Sequence, residues 1–308
     1  MDAQDKSWTP KYPILFMSHQ KWQTIASHIS KTTGQAFQVQ SEHTIAGGCI
    51  NSTYHIEGNG QNYFVKLNNS ENLDMFEAEA AGLTKLAQAD AIKVPEPLCW
   101  GTASGHAYLV MEYIPFGGES SDLGQQLAAQ HQTTYPQFGW YRDNYIGSTP
   151  QINTLENDWV TFWQKHRLGF QINLAAQQGY TRLHRKGQRL IAEVGQFFSN
   201  YQPQPSLLHG DLWSGNYAIS KNGQPVIYDP AVYYGDRETD IAMTELFGGF
   251  PKRFYDAYQE TSPLEQGYTT RKTLYNLYHI LNHLNLFGGS YLRQAENMIA
   301  SLLSELRY

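Results

Sequence analysis

Only two of the 308 residues are cysteine, Cys49 and Cys99, so no disulfide framework braces this chain, and a reducing cytoplasm is the expected setting. Charge is also sparse. Asp, Glu, Lys and Arg make up 16% and sum to −6, which excludes a nucleic-acid surface built on bulk positive charge. No apolar run reaches the roughly 20 residues that a membrane span needs. The first residues include Asp2, Asp5 and Lys6 and lack an apolar core, so no signal peptide is expected. Eleven histidines are present, yet no spacing among them reads as a zinc site. There is no internal repeat, no low-complexity linker, and no Gly-Lys-Ser/Thr of a Walker loop. What remains is 41% hydrophobic and 14% aromatic, enough for one large or two moderate globular domains.

The most informative stretch is His209-Gly210-Asp211-Leu212-Trp213-Ser214-Gly215-Asn216, followed by the apolar strand Val226-Ile227-Tyr228 that ends in Asp229-Pro230. An Asp, an Asn five positions on and a second Asp thirteen later form a phosphoryl-transfer pattern. Asp211 can orient a substrate hydroxyl and accept its proton. The Asn216 oxygen and Asp229 can hold Mg²⁺ against nucleotide phosphates, because hard Mg²⁺ takes oxygen ligands. Alone, either half of this pattern would read as a turn or a strand end; the order and spacing together point to a kinase.

The periodicity predicts a helix over 18–33 and strands at Phe37–Gln40, Thr53–Glu57 and Tyr63–Leu67, the last two joined through Gly58-Asn59-Gly60. A helix over 73–88 follows, then strands around Trp100 and over Tyr108–Tyr113 that turn at Ser104-Gly105. After Pro115-Phe116-Gly117-Gly118, helical patterns cover 121–132, 155–178, 180–200, 238–247, 251–260 and 269–306. The stretch around Asp211 is expected to be a loop with short strands. The expected fold class is α+β and bilobal: residues 1–114 a β-rich nucleotide-binding lobe with an antiparallel sheet, residues 115–308 a helical lobe for catalysis and substrate.

Further residues complete a candidate ATP site. Gly47, Gly48 and Cys49 sit between two predicted strands, where paired glycines let backbone N–H groups approach phosphate oxygens, or simply form a hairpin turn. Lys66, in an apolar strand, supplies a cation for the α- and β-phosphates. Helix 73–88 offers Glu79, with Glu77 as the alternative, to hold that lysine through a charge-assisted hydrogen bond. Glu112, Tyr113 and Ile114 lead out of the last strand of the first lobe and offer backbone groups to an adenine edge.

In order along residues 47–251, these segments resemble the fructosamine kinase (ketosamine-3-kinase) family, within the wider protein-kinase-like and aminoglycoside-phosphotransferase-like group. The tryptophan of His209-Gly210-Asp211-Leu212-Trp213 and the run Phe247-Gly248-Gly249-Phe250-Pro251 distinguish it from generic aminoglycoside or choline kinases. The resemblance implies a bilobal fold, Mg²⁺, and ATP-dependent phosphorylation of the sugar-derived 3-hydroxyl of ketosamines such as fructosamines and ribulosamines, free or on glycated protein. It also implies that Asp240 ties the Asp211 loop down by hydrogen bonds, although an N-terminal helix carboxylate would look the same in sequence. Gly210 stands where protein kinases carry an Arg that reads activation-loop phosphate, so no such switch is expected.

Other residues leave alternatives open. His209 reads as a structural histidine, since Asp211 already fills the acceptor role. Trp213 either stacks on the acceptor or packs in the core. Trp159, Phe162, Trp163 and Phe170 read as core. Cys49 is either a reactive thiol, able under oxidation to join two chains, or a small packed side chain, so a monomer or a redox-dependent dimer is expected. The alternatives for function are an aminoglycoside- or choline-type phosphotransferase and, from a different class, a pseudokinase-like nucleotide-binding module. Intact Asp211, Asn216 and Asp229 argue against the last.

Overall fold

The computed structural model describes residues 14–46, 50–119 and 123–306; Gly47, Gly48 and Cys49 therefore lie outside the described residues. Contacts divide the chain into two units, residues up to 77 with 97–113, and residues 78–96 with 114 onward.

The first unit begins with α1 (Ile14–Thr33) and a five-stranded antiparallel sheet built from β1 (Ser41–Ile45), β2 (Ser52–Gly58), β3 (Gln61–Asn69), β4 (Pro97–Ala103) and β5 (His106–Glu112), ordered β1-β2-β3-β5-β4. The β2–β3 turn runs through Asn59 and Gly60, both at positive φ (53° and 76°), the backbone shape that short hairpins need. One face of the sheet packs Ile56, Val65, Leu67, Cys99 and Val110 against Trp22, Ile25 and Ile29 of α1. Full burial of such side chains contributes about 1.5–3 kcal/mol each before entropy is counted. The predicted strand at Phe37–Gln40 is not a strand. Phe37 is buried there, but the Phe37 N–H donates to the Ser30 hydroxyl at the end of α1 rather than to a neighbouring strand. The ladder starts only at Ser41.

Helix α2 (Leu73–Gln88) begins in the first unit and continues in the second. The second unit contains α3 (Leu123–His131), the hairpin β6 (Asn144–Ile146) and β7 (Thr149–Gln151), α4 (Trp159–Phe162), α5 (Phe170–Gln177) and α6 (Thr181–Glu193). Four short strands follow, β8 (Ser206–Leu208), β9 (Tyr217–Ile219), β10 (Pro225–Ile227) and β11 (Tyr233–Gly235), then α7 (Glu238–Leu246), α8 (Lys252–Thr261), α9 (Tyr268–Phe287) and α10 (Leu292–Glu305). The short strands pair β9 with β10 and β8 with β11, as expected of a loop-rich region.

Two helical expectations are corrected. The stretch 155–178 starts only at Trp159 and carries a π-helix over Trp163–Gly169, which places the Arg167 side chain inside the core. The run 269–306 is two helices, because Gly288 breaks it at φ 87° and ψ −163°. The hairpin β6–β7 was not foreseen. Trp159, Phe162 and Trp163 are core, as read from sequence, and Phe170 is half-buried.

Candidate active site

The loop from His209 to Asn216 leaves β8 and enters β9, so two short strands fix its ends. Its entry is tied to α7. Asp240, almost fully buried in the first turn, accepts from the His209 N–H at 2.8 Å and the Gly210 N–H at 2.9 Å. His131 Nε2 lies 3.2 Å from the same carboxylate, and His131 Nδ1 is 2.8 Å from the Tyr258 hydroxyl, which accepts from Arg237 at 3.1 Å. Burial alone would raise the Asp240 pKa, but the His131 hydrogen bond, with the His209 and Gly210 amides, holds it below the usual range. Hydrogen bonds to an ionised group are each worth roughly 1.5–3 kcal/mol, so Asp240 anchors the loop strongly.

His209 is buried and uses both ring nitrogens. The Asp211 N–H donates to Nδ1 at 3.3 Å, and Nε2 lies 3.0 Å from the Tyr228 carbonyl. That pair of partners specifies the neutral tautomer with its proton on Nε2. Burial pushes the imidazole pKa down, in line with neutrality. His209 thus links the Asp211 loop to the strand leading into Asp229, and the structural reading of this histidine stands.

Asp211, Asn216 and Asp229 come together. Asn216 Nδ2 donates to the Asp211 carbonyl at 2.9 Å, to Asp211 Oδ2 at 3.3 Å and toward the Asp229 carbonyl at 3.5 Å. The Tyr228 N–H returns a bond to the Asn216 carbonyl at 3.1 Å. With its amide nitrogen committed to the loop, Asn216 leaves Oδ1 as the atom a cation can use. Asp229 sits at φ 56°, a left-handed conformation that a non-glycine residue adopts only when its surroundings hold it there. Burial first, and the neighbouring Asp229 charge second, push the Asp211 carboxyl up to about 7 against the Asn216 hydrogen bond. Solvent reaching 23% of that side chain softens the burial contribution, and the like charge of Asp229 sustains the same direction.

His279, near Asp211, escaped the sequence reading, and His283 was read only as part of the helix Leu281-Asn282-His283 that extends the family likeness. His279 Nδ1 is 4.0 Å from Asp211 Oδ1, too far for a hydrogen bond, and burial pushes its imidazole down to about 3. His283, one turn further along α9, lies 4.9 Å from the Phe247 ring, and Phe247 is edge-on to Trp213 at 6.1 Å. The i, i+4 spacing of His279 and His283 was the available signal. Trp213 itself is 36% exposed, so it is not a core residue.

Lys66 lies in β3, only 4% exposed, in register with Thr53 on β2 and Leu109 on β5. Glu79 is half-buried on α2, and so is Glu77. Glu112 ends β5 opposite Tyr63, and the Tyr113 ring stacks on His55 at 3.7 Å. Ile114 opens the following segment of the second unit. No group of three or more His, Cys, Asp or Glu among the described residues forms a metal-ligating cluster. A site of one Asn and one Asp suits Mg²⁺, which commonly takes one or two protein ligands and completes its shell with phosphate oxygens and water.

Comparison with known proteins agrees with this arrangement. The family model for fructosamine kinase matches residues 21–305. A probable ketoamine kinase of Synechocystis sp. is 51% identical over 287 residues, covering 92% of this chain and 97% of that protein. The chloroplastic protein-ribulosamine 3-kinase of Arabidopsis thaliana is 44% identical over 283 residues, covering 90% and 86%. A crystal structure from Haemophilus somnus, assigned as a fructosamine-3-kinase, superimposes with a TM-score of 0.85 at 29% identity, covering 94% of this chain and 99% of that one. The choline kinase LicA of Streptococcus pneumoniae, at 15% identity and a TM-score of 0.60, shares the protein-kinase-like fold. A bilobal α+β fold, a loop holding Asp211 beside Asn216 and Asp229, and a family match over nearly the whole chain lead to one assignment: this protein belongs to the fructosamine kinase family of ATP-dependent kinases.

Proposed function

We propose that this enzyme is a ketosamine 3-kinase that acts in deglycation, moving the γ-phosphoryl group of ATP to the 3-hydroxyl of a fructosamine or ribulosamine. The observation that carries the reading is the junction of Asp211, Asn216 and Asp229 through the Asn216 amide. The names of the relatives, a ketoamine kinase and a protein-ribulosamine 3-kinase, support the acceptor class. Asp211 orients the acceptor hydroxyl and takes its proton as the oxygen–phosphorus bond forms and the bond to ADP breaks. Asn216 Oδ1 and Asp229 are the groups that would hold Mg²⁺. When bound, that ion neutralises charge on the phosphate oxygens.

Lys66, steadied by Glu79, pairs with the α- and β-phosphates, and backbone groups of Glu112 to Ile114 meet the adenine. Gly47, Gly48 and Cys49 form the loop over the phosphates, a role that rests on sequence alone. Residues 1–114 serve as the nucleotide lobe and 115–308 as the catalytic and substrate lobe. Trp213, exposed two residues from Asp211, stacks on the acceptor, with Phe247 and His283 extending the aromatic wall. The enzyme acts in the cytoplasm as a monomer or a redox-dependent dimer. No helix among the described residues is long and apolar enough to cross a membrane.

ADP release measured at fixed Mg·ATP over an acceptor panel tests the reading. Fructosamine- and ribulosamine-type compounds should be turned over, and aminoglycosides and choline far less efficiently. A kcat/KM favouring a kanamycin-like acceptor over every ketosamine would overturn the acceptor class. Absence of turnover with all of them would overturn the reading as a whole.

A further inference from the structure

Arg167 is fully buried in the π-helix, its guanidinium 4.0 Å from the Tyr233 ring centre and 4.6 Å from that of Phe162. A π-turn inside a helix is an uncommon way to aim a side chain and often marks a functional position. Arg167 donates to the Ile152 carbonyl at 2.6 Å and to Asn153 Oδ1 at 2.8 Å. A guanidinium can only donate, so this contact fixes which end of the Asn153 amide is oxygen. Asn153 Nδ2 must then face away, and it donates to Asn144 Oδ1 at 2.8 Å. Asn144 Oδ1 also accepts from Gln151 Nε2 at 2.9 Å, which turns Asn144 Nδ2 onto the Val232 carbonyl at 2.7 Å. Gln151 Nε2 reaches the Ala231 carbonyl at 3.0 Å, and Gln151 Oε1 accepts from the Tyr278 hydroxyl at 2.8 Å.

The chain of amides ends on two consecutive carbonyls, Ala231 and Val232, directly beyond Asp229-Pro230. The Asp211 loop holds both flanks of Asp229: the Asn216 carbonyl accepts from the Tyr228 N–H on the upstream side, and the His209 carbonyl accepts from the Ala231 N–H at 2.8 Å on the downstream side. The left-handed Asp229 is thus bracketed on both sides by the Asp211 loop, and a further, downstream clamp from the hairpin β6–β7 fixes the chain just beyond it through the Ala231 and Val232 carbonyls. Every link in the downstream clamp is an amide, a phenol or a guanidinium, so it orients Asp229 without adding a third carboxylate beside Asp211 and Asp229.

We propose that Gln151 and Asn144, oriented by Arg167 through Asn153, are positioning residues that hold Asp229 in the conformation required for a metal-bound nucleotide. The inference rests on the reading of Asp229 as the Mg²⁺ ligand. It predicts a defect in the metal-dependent part of nucleotide binding, beyond any loss of stability. Partners that orient a metal ligand typically change affinity by about 10- to 100-fold when removed.

The test uses calorimetry on the full-length enzyme with Mg·ADP and with ADP in EDTA, together with the Mg²⁺ concentration giving half-maximal activity. Gln151→Met keeps the shape but loses both donors; Asn153→Asp keeps the acceptor for Arg167 but loses the donor to Asn144. Each should weaken Mg·ADP by about 10-fold and raise the Mg²⁺ requirement in step, with ADP in EDTA changed less than about 2-fold. Tyr278→Phe removes the bond to Gln151 Oε1, along with a Gln171 side-chain contact at the same hydroxyl, and should lower the same affinity ratio by about 3-fold, so it serves if the other variants fail to fold. A lowered Tm with a wild-type ratio of Mg·ADP to ADP affinity would overturn the positioning role. Wild-type enzyme that shows no Mg²⁺ preference, or Asp229→Asn that keeps it, would instead overturn the reading of Asp229 and this inference with it.

Discussion

The Ala231 carbonyl oxygen lies 2.0 Å from the place a Cβ on residue 210 would occupy, so Gly210 lets the Asp211 loop and the Asp229 segment touch backbone to backbone. Gly210 also has φ 84°, a conformation that L side chains rarely adopt. Both constraints act on the residue whose N–H is held by Asp240.

Gly210→Ala should therefore be severe. The left-handed conformation costs about 1–2 kcal/mol, and overpacking against backbone adds about 1–3 kcal/mol. The expected result is a Tm several degrees lower, with turnover lost ahead of nucleotide binding because the shift falls next to Asp211. A Gly210→Ala enzyme with wild-type Tm and kcat would show that the two loops are not in this register.

Asp211→Asn and Asp229→Asn should fail differently. The first keeps the shape and removes the proton acceptor, so kcat should fall roughly 10²-fold or more while ATP still binds. The second removes the ligand charge and should weaken Mg²⁺-dependent nucleotide binding first. Steady-state kinetics with a ketosamine acceptor and calorimetric titration of Mg·ADP separate the two. Near-wild-type kcat in Asp211→Asn would remove Asp211 from the role of base.

Much of this site was legible because local spacing carries it. Asp211, Asn216 and Asp229 stand close in sequence, and short strands bring them together with no long-range decision. Helix α2 was read at its observed ends because its apolar period and bounding residues agree. The Phe37–Gln40 strand was misread because alternating apolar residues predict burial, and here burial comes with a bond to the end of α1 instead of a ladder. Of the polar clamp, only Arg167 stood in a segment that matched the family, His166-Arg167-Leu168; Asn144, Gln151 and Asn153 left no trace. Asn144 and Gln151 reach the segment after Asp229 across 80 or more residues, and buried amides look like loop residues in sequence.

Asp240→Asn tests the anchor of the loop with a pH signature. The folded-state pKa of Asp240 is lowered, so its contribution to stability is present above the unfolded value near 4 and is lost as pH falls through the folded value. The variant should be less stable than wild type at pH 7, by about 1–3 kcal/mol for the unmade hydrogen bonds. The gap should shrink in acid. Urea unfolding at pH 7 and pH 3.5 measures both, and a gap that grows as pH falls would mean that Asp240 is protonated in the native protein.

Cys99 should be silent until its unit opens. The thiol is buried between α1 and the sheet, and burial pushes it up to about 12. Since the thiolate is the nucleophile, native Cys99 offers a thiol reagent almost none of the reactive form near neutral pH. Its labelling should be slow in native buffer and should accelerate with urea in step with loss of tertiary structure in the first unit. Cys49, which lies outside the described residues, is expected from sequence to label faster and to be protected by Mg·ATP. Peptide mapping after a brief pulse of reagent distinguishes the two positions. Rapid labelling of Cys99 in native buffer, at the rate of a free thiol, would show that α1 does not cover it.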